Sequence, residues 1–417
     1  MISFFRRKRA LTALAGLAVA TVALTGCSTG SGGGSSAAKG TYTFWDPYPQ
    51  FDASSAWTKL VEKCGTEAGV TIKRTGYDTS DLTSKALLAG QQGNSPDLLL
   101  VDNPVVSTLA DAGLLTDTSE TKTSTSDIEA NILAAGQVDG KTYGVPIGAN
   151  TLALYYNKKI LSAAGVDASK ITTWDSLTAA LAKVKADGKK GITFSAIGTE
   201  EGSFQFLPWY WGSGADLTKL DSSDAASALS LWTDWVDKGY APNSVINNTQ
   251  TTSWQEFLTG DFAFSENGTW QLAGVKASKI DYGIISIPAK AGGAAPAPTG
   301  GEFLTIPVQK DSARYAVSKK IQSCLTSTAN YVSTDTTLSY VAPTKAAQEK
   351  QVAADPDLEP WVTAVGDAKG RTSDNLGTKY PKISEQLWKA VQNSLSGSQT
   401  PDAALKQAQT AAAAAIK

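Results

Sequence analysis

The 417-residue sequence contains no histidine. That absence removes histidine-dependent nucleophilic triads, imidazole general bases and imidazole-held metal sites together. Cysteine occurs only at Cys27, Cys64 and Cys324, too few for an iron–sulfur cluster or a zinc site of four thiolates. Arginine is nearly as scarce: beyond Arg9 only Arg74, Arg314 and Arg371 remain. A chain so poor in guanidinium forks is a weak candidate for gripping phosphate or carboxylate. With a formal net charge of −2 it is also a weak candidate for nucleic acid. No metal or cofactor is expected, and a neutral ligand is favoured.

What is present is the composition of a soluble globular protein, 42% hydrophobic and 18% charged, with a generous 11 Trp and 13 Tyr. The length exceeds one ordinary core, so two lobes are expected. Residues 1–26 read as an export signal: Arg6-Arg7-Lys8-Arg9 is a basic leader and Ala10–Leu24 an apolar stretch too short to span a membrane comfortably. Leu24-Thr25-Gly26-Cys27 resembles a bacterial lipobox, which implies that Cys27 is lipidated and becomes the new N-terminus. Removing residues 1–26 moves the formal charge from −2 to −6, because four positive and no negative charges are lost. Ser28–Gly40, rich in Gly and Ser, reads as a flexible tether with an r.m.s. reach of ~20 Å.

From Thr41 the pattern is β-α-β-α-β. A strand at Thr41–Trp45 is followed by a helix carrying Trp57, Leu60, Val61 and Cys64 on one face and stopped by Gly65. A strand at Val70–Arg74, a helix at Asp81–Ala89 stopped by Gly90 and a buried strand at Asp97–Val101 follow. This order predicts a parallel α/β lobe whose ligand sites lie beyond the carboxyl ends of its strands. Asp46 and Asp102-Asn103 stand at two such ends, where capping is the commoner fate of Asp and Asn. No internal repeat and no membrane span appears after residue 26.

The stretch Lys141–Lys159 is the pivot. Pro146 fixes φ and Gly148 frees it, so Pro146–Asn150 reads as a crossing between elements. Locally, Asn150 finishes a turn before the strand Leu152–Tyr156 or faces a cleft. Phe204–Trp211 packs five aromatics into eight residues, as lobe core or as a groove wall. Glu266-Asn267-Gly268-Thr269-Trp270 sets a Trp beside a helix start, and Gly300-Gly301-Glu302 opens another strand. Cys64 and Cys324 each lie on an apolar helical face, as two buried thiols or as a pair.

Tyr143-Gly144-Val145-Pro146, then Leu154-Tyr155-Tyr156-Asn157-Lys158 and Thr173-Trp174, resemble the extracellular solute-binding proteins of bacterial ABC importers. The resemblance is to the sugar-binding class that includes the maltose- and multiple-sugar-binding proteins. Phe257–Gly260 with Gly268-Thr269-Trp270, Tyr282-Gly283 to Pro288 with Gly300-Gly301, and Thr400-Pro401 extend it over nearly all of 41–417. The resemblance implies a two-lobe α/β fold of the type II periplasmic-binding kind, each lobe a mostly parallel sheet flanked by helices. Residues 41–148 plus 302–346 would form the N-terminal lobe and 149–300 plus 347–417 the C-terminal lobe, with crossings near Gly148, Gly300 and Lys345. It implies a ligand held between the lobes, hinge closure on it, and delivery by a monomer to a membrane permease. It also places the Cys64 and Cys324 helices in one lobe, which favours a disulfide.

Carried over by residue, the resemblance puts Asn150 at a polar ligand contact and Trp270 at the aromatic that stacks on a sugar ring. It draws Trp209 and Trp211 from the aromatic run, and places Trp45, Asp46, Tyr48, Asp102, Asn103 and Glu302 in ligand-facing loops. Several relatives carry an acid at the position of Asn150, so the ligand's identity is not copied from them. Flat aromatics with Asp, Asn and Glu suit the apolar faces and hydroxyl rim of a sugar. The rival expectations are another small polar solute such as a polyol, or a glycosidase using two carboxylates among Asp46, Asp102, Glu266 and Glu302.

Overall fold

The structure is a computed structural model that describes residues 40–373 and 376–416. The export signal, Cys27 and all but the last residue of the tether lie outside the described residues. Eleven strands are named here: β1 Thr41–Asp46, β2 Thr71–Gly76, β3 Leu98–Asp102, β4 Gln137–Val138, β5 Lys141–Thr142, β6 Val145–Pro146, β7 Leu152–Asn157, β8 Lys190–Thr193, β9 Phe262–Gly268, β10 Tyr282–Ile285 and β11 Glu302–Thr305. They build two main sheets, β2-β1-β3-β11-β6 and β10-β7-β9-β8, and the small β4-β5 ribbon.

The sheets are mixed, which corrects the expectation of mostly parallel ones. β1, β2 and β3 run parallel, but β11 is antiparallel to both β3 and β6. In the second sheet β7 is antiparallel to β9 and β10, and only β8 and β9 are parallel. The cause is the repeated passage between lobes. β3 and β9 run toward the crossings and end there, at Asp102 and Gly268. β11 and β7 start from the crossings and run away, so Glu302 pairs with Asp102 and Leu152 with Gly268.

In the first lobe, β1 turns Tyr42 and Phe44 to one face, where Trp57, Val61, Val317 and Ile321 cover them. Leu98–Val101 of β3 is apolar on both faces, as a central strand requires, with Leu99 and Val101 packed against Leu82, Val106 and Phe303. The helix Ala56–Glu67 does not stop at Gly65. A Cβ there would lie 2.6 Å from the Ile72 side chain, so this glycine lets the helix press on β2. A disulfide joins Cys64 to Cys324 with Cα atoms 5.6 Å apart, tying that helix to Tyr315–Leu325.

The second lobe packs Leu154, Ile192, Phe206, Trp232, Trp235 and Leu387 on one side of its sheet and Tyr155, Trp254, Phe257 and Trp361 on the other. The aromatic run Phe204–Trp211 lies within a helix, Glu200–Gly212, that tolerates Pro208 inside it. Here tertiary burial overrides the local cost of an interior proline: every residue from Gly202 to Trp211 is buried.

Three strands of chain pass side by side between the lobes. Ala149 bridges Val341, and Asn150 bridges Gly300, both antiparallel. The packing leaves no room for a side chain at Gly148 or at Gly301. A Cβ on Gly148 would lie 2.2 Å from the Asp335 Oδ1, and one on Gly301, at φ +115°, would lie 2.4 Å from the Gly148 carbonyl.

Candidate functional site

The candidate site is built from the ends of β1 and β3 and the start of β11, neighbours in the first sheet, and from Trp270 just after β9, which packs against the apolar clusters of both lobes. On the second lobe Trp270 sits in a single 3-10 turn, Thr269–Gln271, directly after β9. Its ring folds back over Gly268, where a Cβ would stand 2.1 Å from ring carbon, so the glycine makes room for it. Trp270 is half-buried and touches the apolar clusters of both lobes. Phe204 lies beside it, ring centroids 6.3 Å apart.

Asn150 enters from the first crossing. Its backbone exchanges hydrogen bonds with Gly300 at 2.8 and 3.1 Å. Its side-chain oxygen rests where a Cβ on Gly300 would be, 2.0 Å away, so the glycine is what lets the amide lie there. That amide makes no hydrogen bond to the described residues. The hydroxyls of Thr269 and Thr299, next to Trp270 and Gly300 in the chain, are also buried without a partner among the described residues.

On the first lobe Trp45 packs edge-on against Tyr77, centroids 5.3 Å apart, at the strand ends. Glu302 accepts hydrogen bonds from the hydroxyls of Tyr48 at 2.7 Å and Tyr340 at 3.3 Å. Burial, and after it the Asp102 carboxylate, pushes its carboxyl up from the ordinary 4.5 to about 7. Asp335, 1% exposed, has both carboxylate oxygens unpartnered among the described residues. Burial first, then Glu302, holds it well above the usual carboxylate range.

The raised Glu302 has a consequence for stability. Between pH about 4.5 and about 7 the folded protein keeps a proton that the unfolded chain has released. This group's contribution to stability is therefore full below about 4.5 and declines as pH rises to about 7. Relative to wild type, Glu302→Gln is expected to gain melting temperature steadily across that interval and to hold the gain above it. A pH-independent difference in paired thermal melts would contradict the assignment.

Asp102 and Asn103 face the second lobe and meet Arg371. Its guanidinium forks onto the Asp102 carboxylate at 2.6 and 3.1 Å, and also donates to the Asn103 amide oxygen at 2.7 Å and to Glu200 at 2.8 Å. Asn103 in turn donates to the Thr299 carbonyl at 2.9 Å. Each of the three described arginines forms an ion pair with an aspartate of the first lobe: Arg74 with Asp46, Arg314 with Asp97 and Arg371 with Asp102.

Three expected contacts turn out to be structural. Asp46 is fully buried, and its carboxylate takes hydrogen bonds from Arg74 at 2.5 and 2.7 Å, from the Trp57 indole at 3.0 Å and from the Tyr48 amide at 3.1 Å. It braces the loop after β1 and has no oxygen left for a ligand. Trp209 is wholly buried, stacks edge-on against Trp235 at 5.0 Å and donates its indole N–H to Glu266 at 2.8 Å. Trp211 is a member of the same core. Phe204 belongs to that core as well, but its ring also meets Trp270 and lies under the Arg371 guanidinium. Glu266 is sealed inside the lobe, its carboxyl raised by burial.

Phe204 lies in the run already read as core or groove wall, whereas Glu200, Arg371, Tyr77 and Tyr340 are not singled out by the sequence. Among the described residues no cluster of three or more acids or cysteines is suited to a metal ion, and no helix is long and apolar enough to cross a membrane.

Comparison with known proteins agrees with this architecture. The family described as bacterial extracellular solute-binding protein matches residues 59–360. The maltodextrin-binding protein MdxE of Bacillus subtilis (strain 168) is 29% identical over 244 residues, 56% of this chain and 58% of that protein. A maltooligosaccharide ABC transporter solute-binding lipoprotein of Streptococcus pneumoniae is 27% identical over 253 residues, 56% of this chain and 57% of that protein. The aligned chain thus spans little more than half the length of these curated relatives. Among solved structures, the GacH receptor of Streptomyces glaucescens, known unliganded and with acarbose, superposes with a TM-score of 0.75 at 26% identity, covering 90% of this chain and 97% of that one. Maltose-bound MalE3 of T. maritima superposes at 0.79 with 20% identity, covering 89% of this chain and 99% of that one.

Proposed function

The chain belongs to the bacterial extracellular solute-binding proteins, and from that membership we propose that it captures a sugar or oligosaccharide between its two lobes for delivery to an ABC-transporter permease. The observation that carries the sugar reading is Trp270, a half-buried ring between the apolar clusters of both lobes, with the unpartnered Asn150 amide on the crossing. Such a ring offers a flat face to the C–H side of a pyranose, and the amide can both donate to and accept from hydroxyls. Phe204, Trp45, Tyr77 and Glu302 complete the ligand-facing set we assign. The relatives named for maltodextrin and maltooligosaccharide make an α-glucan oligosaccharide the first candidate.

We assign 41–148 plus 302–346 to the N-terminal lobe and 149–300 plus 347–417 to the C-terminal lobe. The protein is exported and held at the outer face of the cytoplasmic membrane by a lipid on Cys27, with Ser28–Gly40 as its tether. It acts as a monomer and performs no catalysis. Of the acids a carboxylate-based hydrolase would use, Asp46 is tied to Arg74, Asp102 to Arg371, and Glu266 is enclosed in the lobe core.

A thermal-shift screen over mono- and oligosaccharides, led by a maltodextrin series, tests the reading. A ligand at a hundred times its Kd adds about 2.7 kcal/mol to folded-state stability. A clear rise with at least one saccharide is expected. A panel without any rise, alongside a rise with a polyol or another polar solute, would replace sugar by that class.

A further inference from the structure

One ion pair beside the Gly300–Gly301 crossing, where the Asn103 N–H donates to the Gly301 carbonyl at 3.1 Å and the Thr299 N–H to the Lys369 carbonyl at 2.9 Å, is not explained by ligand contact. Arg371 is anchored on the second lobe, between the helices Glu359–Gly366 and Tyr380–Leu395, and is only 2% exposed. There Glu200 accepts from its Nη1 at 2.8 Å, and Glu200 is itself fixed by the Tyr380 hydroxyl at 2.7 Å and by Ser384. The Phe204 ring lies 4.8 Å beneath its guanidinium. The same guanidinium then reaches across to the first lobe, where Asp102 takes it with both oxygens and Asn103 with its amide oxygen. Asp102 has no other cation beside it among the ion pairs of the described residues, and its side chain is 20% exposed.

We propose that Arg371 is the latch of the closed form, a positioning residue that sets how readily the lobes stay together on any ligand. The arrangement is asymmetric in a useful way. If the lobes part, Arg371 keeps Glu200 and Phe204, while Asp102 regains water, so no charge is stranded in an apolar place. When they meet, a bidentate, charge-assisted pair forms with the fork already oriented. An affinity that requires closure is scaled by the fraction of protein able to close. Weakening the latch therefore taxes every ligand by the same factor, whatever its length.

The inference rests on the two-lobe capture reading, and its test separates the two. Binding of two glycans of different length is measured for wild type, Arg371→Gln, Asp102→Asn and the double variant. The distance between spin labels, one on each lobe, is measured without ligand. Each single variant should lose at least about tenfold in affinity, within the usual range of a coupling between sites. The factor should be equal for the two glycans, and the double variant should lose no more than the weaker single. Label distances should lengthen in both singles, and Arg371→Lys should recover part of the loss. Unequal factors for the two glycans would make Arg371 a ligand contact, and additive losses or unchanged label distances would also overturn the latch. If Arg371→Gln does not fold, Asp102→Asn carries the test alone. If wild type binds no glycan, the sugar reading fails while the label distances still decide the latch.

Discussion

Replacing Trp270 with alanine is expected to weaken glycan binding by at least about tenfold, a loss of about 1.4 kcal/mol, while the melting temperature stays near that of wild type. The two halves of this expectation follow from where the ring sits. It is half-buried, lies over Gly268 and touches both lobes without being enclosed by either. Its removal takes away the flat face we assign to sugar stacking but leaves no sealed cavity in a core. Trp209 and Trp235 provide the contrast. Both are wholly buried and packed edge-on at 5.0 Å, and truncating either should cost roughly 3–5 kcal/mol of stability. Calorimetric binding and thermal melts on Trp270→Ala and Trp235→Ala together make the comparison. A Trp270→Ala protein that loses stability yet binds normally would make Trp270 a core residue.

The second large effect is on stability alone. Changing Cys64 and Cys324 together to serine should lower the free energy of unfolding by about 2–4 kcal/mol. The bond links residues 260 apart and ties the helix Ala56–Glu67 to Tyr315–Leu325. It thereby fastens the chain's return into the first lobe to that lobe's beginning, and it constrains a very long loop in the unfolded state. Neither cysteine belongs to the ligand-facing set we assign, so saturating glycan should bind the folded variant as it binds wild type. Denaturant titrations of the two proteins read the effect, and coincident midpoints would show that the helices are held by packing alone.

The difference between these two predictions mirrors what the sequence reveals and what it hides. Local patterns carry local structure: the alternation in Thr41–Asp46, the apolar run ending at Asp102 and the Pro146–Asn150 crossing are all legible because neighbours in the chain decide them. Trp270 is singled out by the family resemblance and not by its neighbours, and the strand before it runs on to Gly268. Gly65 misleads because a glycine that ends a helix and a glycine that admits a neighbouring strand look alike until Ile72 is seen against it. The antiparallel strands escape notice because direction is imposed by the passage of the chain between lobes, not by any residue within a strand.

Long-range partners account for the rest. Asp46 stands at a strand end just as Asp102 does, yet one is closed off by Arg74 from the adjacent strand while the other meets Arg371 from 269 residues away. Nothing near either aspartate in the sequence distinguishes them. Trp209 and Trp211 belong to an aromatic run buried on several sides, and nothing local in it shows that Phe204 is the ring that meets Trp270.

We propose that this cleft holds a saccharide without transforming it, and isothermal titration with a maltodextrin ladder puts that to the test. The expected result is a saturating, one-site heat for at least one oligosaccharide, sharply reduced in Trp270→Ala and complete once each injection has equilibrated. Heat that continues to flow after every injection, or the absence of heat with every member of the ladder and with other saccharides, would contradict it.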